Sequence, residues 1–150
     1  MRGAGRVLVI DDDPALLELV SAILSDEGYD VQTAPSAAKA LDRLWAEWDN
    51  QPDVILLDML LPALNGQAFA ALYRALPVRQ AAIVLMSALP YVEDVAPQIA
   101  ASGALRKPFD LDELLGRVRL ALAGRAGADA PGATPAREQP LPGISAVAAG

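Results

Sequence analysis

The chain has 150 residues, 53% of them apolar, which suffices for one buried core and amounts to about one domain. Its formal net charge of −7 argues against a nucleic-acid surface, which requires a basic face. Cysteine and histidine are both absent, which excludes disulfides, thiolate chemistry, Ser-His-Asp triads, imidazole metal sites and any phosphohistidine formed on this chain.

The segment from Met1 to Arg6 leads straight into a strand with no signal-peptide core, and no apolar run approaches the roughly 20 residues of a membrane span. The expectation is a soluble, cytoplasmic protein. Residues 6–10 form the first strand, ending at Asp11, Asp12 and Asp13. Pro14 then sets the first turn of a helix over 14–27, with Leu16, Leu17, Val20, Ile23 and Leu24 on one face and Gly28 as its C-cap. Residues 29–34 alternate as a second strand. Ser36 caps a helix over 37–48 whose face carries Ala40, Leu41, Leu44 and Trp48; Trp45 and Trp48 are expected to be partly buried.

Residues 54–57 are continuously apolar, as in a strand covered on both faces, and they stop at Asp58. A loop to Asn65 leads into a helix over 66–75. The next strand, 82–86, ends in Ser87 and is followed by a helix over 92–102. A short fifth strand, 104–106, delivers Lys107 and Pro108. Asp110 caps a last helix running to Ala123, with Leu111, Leu114, Leu115, Val118 and Leu122 inward. Strands alternating with helices predict a parallel α/β sheet with right-handed crossovers. The domain is thus placed at 5–123. Residues 124–150 are mostly Ala, Gly and Pro and are expected to be a disordered tail or linker.

In an open parallel sheet, functional groups gather beyond the carboxyl ends of the strands. Asp11, Asp12, Asp58, Ser87 and Lys107 all fall there. Each carboxylate pair at about 4 Å costs on the order of 4 kcal/mol at an effective dielectric near 20, and Lys107 is the single nearby cation. A divalent ion is the natural remedy, and an all-oxygen ligand set favours Mg²⁺. Asp58 could then attack an electrophilic phosphorus to form an aspartyl phosphate. Mg²⁺, the Lys107 ammonium, and the Ser87 hydroxyl with backbone N–H groups would share the three phosphoryl oxygens.

Taken together, Val7 through Asp13, Asp58-Met59-Leu60-Leu61-Pro62, Asn65-Gly66, Ser87-Ala88 and Lys107-Pro108-Phe109 resemble the receiver domain of two-component response regulators, across about residues 5–123. The resemblance implies a flavodoxin-like, doubly wound five-stranded sheet of order 2-1-3-4-5 with five helices, an order for which a receiver is itself the standard example. It implies that Asp58 is the phosphoacceptor, that Asp12 binds Mg²⁺ directly and Asp11 through water, and that the Leu60 backbone carbonyl completes the metal site. Ser87 would be the switch hydroxyl and Lys107 the phosphoryl-contacting lysine, followed by a cis peptide at Pro108. Asp13 is left to cap the first helix. The implied partners are a sensor histidine kinase or a histidine phosphotransfer protein, plus a downstream target protein, with no nucleic acid and no membrane. The face of the 92–102 helix, Leu105 and the last helix would allow a homodimer. Such a chain is a signalling domain that assists its own phosphorylation and dephosphorylation, and not an enzyme with a separate substrate.

Other chemistries fit poorly. Gly3 and Gly5 precede the first strand, whereas a dinucleotide fingerprint follows it, and no phosphate-binding loop with Lys-Ser/Thr occurs. Asp11-Asp12-Asp13-Pro14 lacks the Gly-Thr of a haloacid-dehalogenase-type phosphatase. Two departures from the receiver pattern stand out. Ala104 occupies the position where the family commonly has a mobile aromatic, which moves the expected output to the 87–92 loop and the helix after it, with Tyr91 nearby. Leu60 and Leu89 flank the expected phosphoryl group and cannot orient water, which predicts a slowly hydrolysing phosphoaspartate. Two alternatives stand beside the first reading: an unphosphorylated interaction module of the same fold, and the receiver fragment of a longer regulator.

Overall fold

Five strands and five α-helices alternate in the computed structural model, which describes residues 5–128: β1 (Arg6–Ile10), α1 (Pro14–Asp26), β2 (Asp30–Ala34), α2 (Ala37–Ala46), β3 (Val54–Asp58), α3 (Gly66–Arg74), β4 (Ala82–Ser87), α4 (Val92–Val95), β5 (Gly103–Arg106) and α5 (Leu111–Ala128). All strand pairs are parallel, in the order β2-β1-β3-β4-β5. The order reverses at β1, which pairs with both β2 and β3, so a crevice opens beyond the carboxyl ends of β1 and β3. The register places Asp58 beside Met86 and Ser87 beside Arg106. The chemically capable side chains therefore end their strands at one level.

Side chains alternate across each strand and feed two cores. Val7, Val9, Val54 and Leu56 pack with Leu17, Val20 and Leu24 of α1 and Leu114, Leu115 and Val118 of α5. Leu8, Ile10, Ile55 and Leu57 face α2, α3 and α4, meeting Leu44, Phe69, Tyr73 and Val92. Each of these large side chains gains about 1.5–3 kcal/mol on full burial. Helix starts are fixed locally. The Asp13 carboxylate accepts from the N–H of Ala15 and Leu16, the Ser36 hydroxyl from Lys39, and Asn65 from Ala68. Asp110 and Glu113 exchange side-chain to backbone bonds in a reciprocal capping box.

Several sequence expectations need correcting. The helix expected over 92–102 is cut to α4 and a 3-10 turn, Ala96–Ile99. Pro97 has no N–H for the carbonyl four residues earlier, and its ring crowds that carbonyl. The turn ends at Ala100, whose φ of +55° is left-handed. The two tryptophans are exposed, Trp45 at 58% and Trp48 at 67%. Trp45 lies next to Leu44, a third of a turn off the buried face, and Trp48 lies beyond the end of α2. That end is closed by Gln51, whose side-chain amide donates to the carbonyls of Leu44 and Glu47. Leu111, the first residue of α5, is also exposed.

The last helix continues past Ala123 to Ala128. Arg125 explains the extension, because its guanidinium donates to the Gln80 carbonyl and approaches Asp53 to 3.9 Å. Asp53 also accepts from the Arg6 N–H at 2.9 Å and from Arg79 at 3.0 Å. One buried carboxylate thus joins β1, the start of β3, the segment before β4 and α5 at the amino-terminal edge of the sheet. Residues 129–150, the rest of the expected tail, lie outside the described residues.

Candidate functional site

Asp11, Asp12, Asp58, Ser87 and Lys107 come together at the carboxyl edge of the sheet. Asp11 directly follows β1, Asp58 and Ser87 are the last residues of β3 and β4, and Lys107 directly follows β5. A carboxylate oxygen from each of Asp11, Asp12 and Asp58 lies within 4.8 Å of the other two. Asp11 and Ser87 are each 1% exposed and Asp58 5%, while Asp12 faces solvent.

Lys107 supplies the counter-charge. Its Nζ lies 2.7 Å from Asp11 Oδ2 and 3.7 Å from Asp58 Oδ2. Burial holds the Asp58 carboxyl above its usual range, and Asp11 and Asp12 push it higher, while the Leu60 N–H and Lys107 pull it down. A single ammonium leaves this carboxylate short of positive charge.

The backbone locks the strand ends to each other. The Met59 N–H donates to the Met86 carbonyl at 2.9 Å, and the Lys107 N–H to the Ser87 carbonyl at 2.8 Å. The Lys107–Pro108 peptide is cis. Two further donors carry no sequence signature, since any residue supplies a backbone N–H. Leu60 donates to Asp58 Oδ1 at 3.1 Å and Leu89 to Ser87 Oγ at 3.1 Å, which orients both side chains. Asp13 caps α1 as expected, and its N–H donates to Asp11 Oδ1 at 2.9 Å. Gly66 is required by space: a Cβ there would stand 2.8 Å from the Asp58 carbonyl oxygen and 2.9 Å from Met59 Cα.

The sequence matches the response regulator receiver domain over residues 7–119. The chain belongs to the receiver family of response regulators. Among curated relatives, it is 40% identical over 121 residues to the DNA-binding dual master transcriptional regulator RpaA of a Synechocystis species, covering 78% of this chain and 48% of that one. It is 37% identical over 120 residues to the DNA-binding response regulator MtrA of Mycolicibacterium smegmatis, at 78% and 50% coverage. The chain thus spans about half the length of these relatives. Among solved structures, the chemotaxis response regulator CheY4 of Vibrio cholerae is similar with a TM-score of 0.70 and 28% identity, covering 78% of this chain and 98% of that one. A Chloroflexus aurantiacus putative response regulator gives 0.71 and 29%, at 79% and 98% coverage.

The receiver fold and strand order expected from the sequence are therefore those observed. Family membership also places the chain among two-component response regulators. No described helix is long and apolar enough to cross a membrane. The departures noted in the sequence have structural counterparts: Ala104 is buried on β5, in the core that also holds Val92 and Val95 of α4, Tyr91 is exposed, Leu60 faces solvent and Leu89 is half-buried.

Proposed function

We propose that this receiver accepts a phosphoryl group on Asp58 from a phosphohistidine of a sensor kinase or phosphotransfer protein, in a Mg²⁺-dependent reaction. The observation that carries the proposal is the convergence of Asp11, Asp12 and Asp58 with a single balancing ammonium, Lys107. The donor set suits Mg²⁺: hard carboxylate oxygens in excess of cationic charge, with Asp12 open to solvent. Asp11, Asp12, Asp58 and the Leu60 carbonyl would hold the ion, which supplies charge neutralisation for the transferred group.

In the reaction, an Asp58 carboxylate oxygen forms the new P–O bond. The N–P bond of the donor breaks, and its electron pair leaves with the imidazole, which takes a proton from solvent. Lys107 and the Ser87 hydroxyl neutralise the remaining phosphoryl oxygens. Recruiting them biases the loop after β4 toward a second state. Arg106 supports that route, since Nη2 donates to the Pro90 carbonyl at 2.9 Å and to Glu93 at 2.7 Å, tying β5 to this loop and α4. Ala104 has no rotamer to report the change. Beside apolar Leu60 and Leu89, attacking water lacks an orienting group, so the phosphoaspartate hydrolyses slowly and Leu60→Asn quickens its decay.

The match covers half of relatives named for DNA binding, so DNA binding is not proposed for this acidic domain. The unphosphorylated-module alternative is disfavoured by the complete acceptor set. The deciding test is intact mass after incubation with acetyl phosphate and Mg²⁺. A gain of one phosphoryl group is expected in wild type, and none in Asp58→Asn or with EDTA. No gain in folded wild-type protein would sink the proposal.

A further inference from the structure

Pro97 does more than shorten α4. By turning the chain into a 3-10 turn, it leaves a cleft of about 370 Å³ between that turn and α3. This is within the usual size range of small-ligand sites, about 300–1,000 Å³. Its apolar walls are Ala70 and Ala71 of α3 and Pro97 and Ile99 of the turn, with Arg74 at the carboxyl end of α3.

Arg74 is the unusual member. The guanidinium donates to Gln80 Oε1 at 3.1 Å, to the Ala81 carbonyl at 3.4 Å and to the carbonyl of left-handed Ala100 at 3.0 Å. All three acceptors are neutral, and no carboxylate among the described residues lies within ion-pair distance. Nε is sealed from solvent and has no hydrogen-bond partner. Five N–H groups are available and three are used; with Nε–H sealed, one N–H on Nη2 is left for a ligand. The guanidinium carbon also lies 5.8 Å from the centre of the Tyr73 ring, a favourable contact that supplies no full negative charge. This half-buried cation therefore has only neutral partners, and burial already lowers its proton affinity. In a chain of net charge −7, such a group marks where a negative charge is wanted.

We propose that this cleft binds a small carboxylate with a flat or short apolar body, its anionic end at Arg74 and its body between Ala71 and Ile99. A guanidinium suits a planar carboxylate, and the small alanine side chains leave room for the body. The site is separate from the Asp58 cluster, and its occupancy does not depend on phosphorylation.

The test is a titration of the full chain with benzoate, and in parallel with neutral benzamide, followed by backbone amide NMR. Saturable shifts at Ala71, Ile99 and Ala100 are expected with benzoate, with benzamide weaker by about tenfold because the charge-assisted bond is missing. Arg74→Gln should weaken benzoate to the benzamide level. Because Arg74 also holds Ala100, a second variant, Ala71→Phe, fills the cleft from an exposed position and should abolish the shifts in a folded protein. Absence of saturable shifts, equal response to the two probes, or shifts that survive Ala71→Phe would each overturn the proposal.

Discussion

The ammonium of Lys107 rests on Asp11, at 2.7 Å, as its closest acidic partner. Asp11 is fully buried and needs that cation, so Lys107 is a structural counter-ion beside its proposed role at the phosphoryl group. Removing it leaves three clustered acids without a positive charge. Lys107→Met should cost about 2 kcal/mol in metal-free buffer, less than the about 3–5 kcal/mol for a fully buried pair because the lysine is partly exposed. Mg²⁺ should restore most of the loss, since a ligand held only by the folded state stabilises it. Urea unfolding with and without Mg²⁺ checks this. Equal metal-free stability of the two proteins would mean that the contact contributes nothing.

Gly66 and Gly116 should respond to alanine with opposite signs. At Gly66 the new methyl meets the Asp58 carbonyl and Met59 backbone at under 3 Å. Neither can move without shifting the acceptor loop, so Gly66→Ala should cost about 1–3 kcal/mol and slow phosphorylation. At Gly116, inside α5, a Cβ meets nothing within 4 Å, and Gly116→Ala should gain about 0.5–1 kcal/mol from helix propensity. Thermal melts of both variants test the contrast, and a stabilised Gly66→Ala would refute the steric argument.

At the opposite edge of the sheet, Asp53 gathers Arg6, Arg79 and Arg125. Asp53→Asn should cost about 3 kcal/mol, since it leaves guanidinium groups around a neutral amide. Of the partners, Arg125 is 11% exposed in its side chain and Arg79 43%, so Arg125→Gln should cost more than Arg79→Gln. Urea midpoints would settle the order, and a larger loss for Arg79 would contradict it.

Tyr73 gives a pH prediction. It is fully buried, and its hydroxyl oxygen accepts the Ala81 N–H at 2.6 Å. Burial, the largest influence, raises its pKa above the ordinary 10.0. The folded state therefore holds this proton more tightly than the unfolded state, and the linked stability is full below about pH 10 and lost as pH rises through the folded value. Tyr73→Phe should cost about 1–3 kcal/mol at pH 7, because the buried N–H loses its acceptor. It should also show a shallower decline between pH 9 and about pH 11 than wild type. Identical alkaline slopes would show that Tyr73 does not carry the effect.

The strands and the carboxylate cluster were legible because runs such as Val54 to Leu57 stop abruptly at a carboxylate, and a parallel sheet gathers such stops at one edge. What escaped depends on tertiary context. Pro97 offered a local clue that the 92–102 helix would break, yet the cleft it opens depends on the neighbouring α3. Trp48 sits where helical spacing points inward, but Gln51 closes α2 first. Arg125 lies among alanines and glycines of low information, and its carbonyl and carboxylate partners come from the segments leading into β4 and β3, far away in sequence. The Leu60 and Leu89 N–H groups belong to no residue-type pattern at all.

The anchoring of Arg125 also fixes the edge of the sheet at which α5 ends. Because α5 is bolted to the amino-terminal edge of the sheet through Gln80 and Asp53, its carboxyl end lies at the end of the molecule opposite Asp58. A fluorophore, affinity handle or surface tether placed there leaves the approach of a phosphodonor clear, whereas the same group on the loops after β1 or β3 would stand in its path.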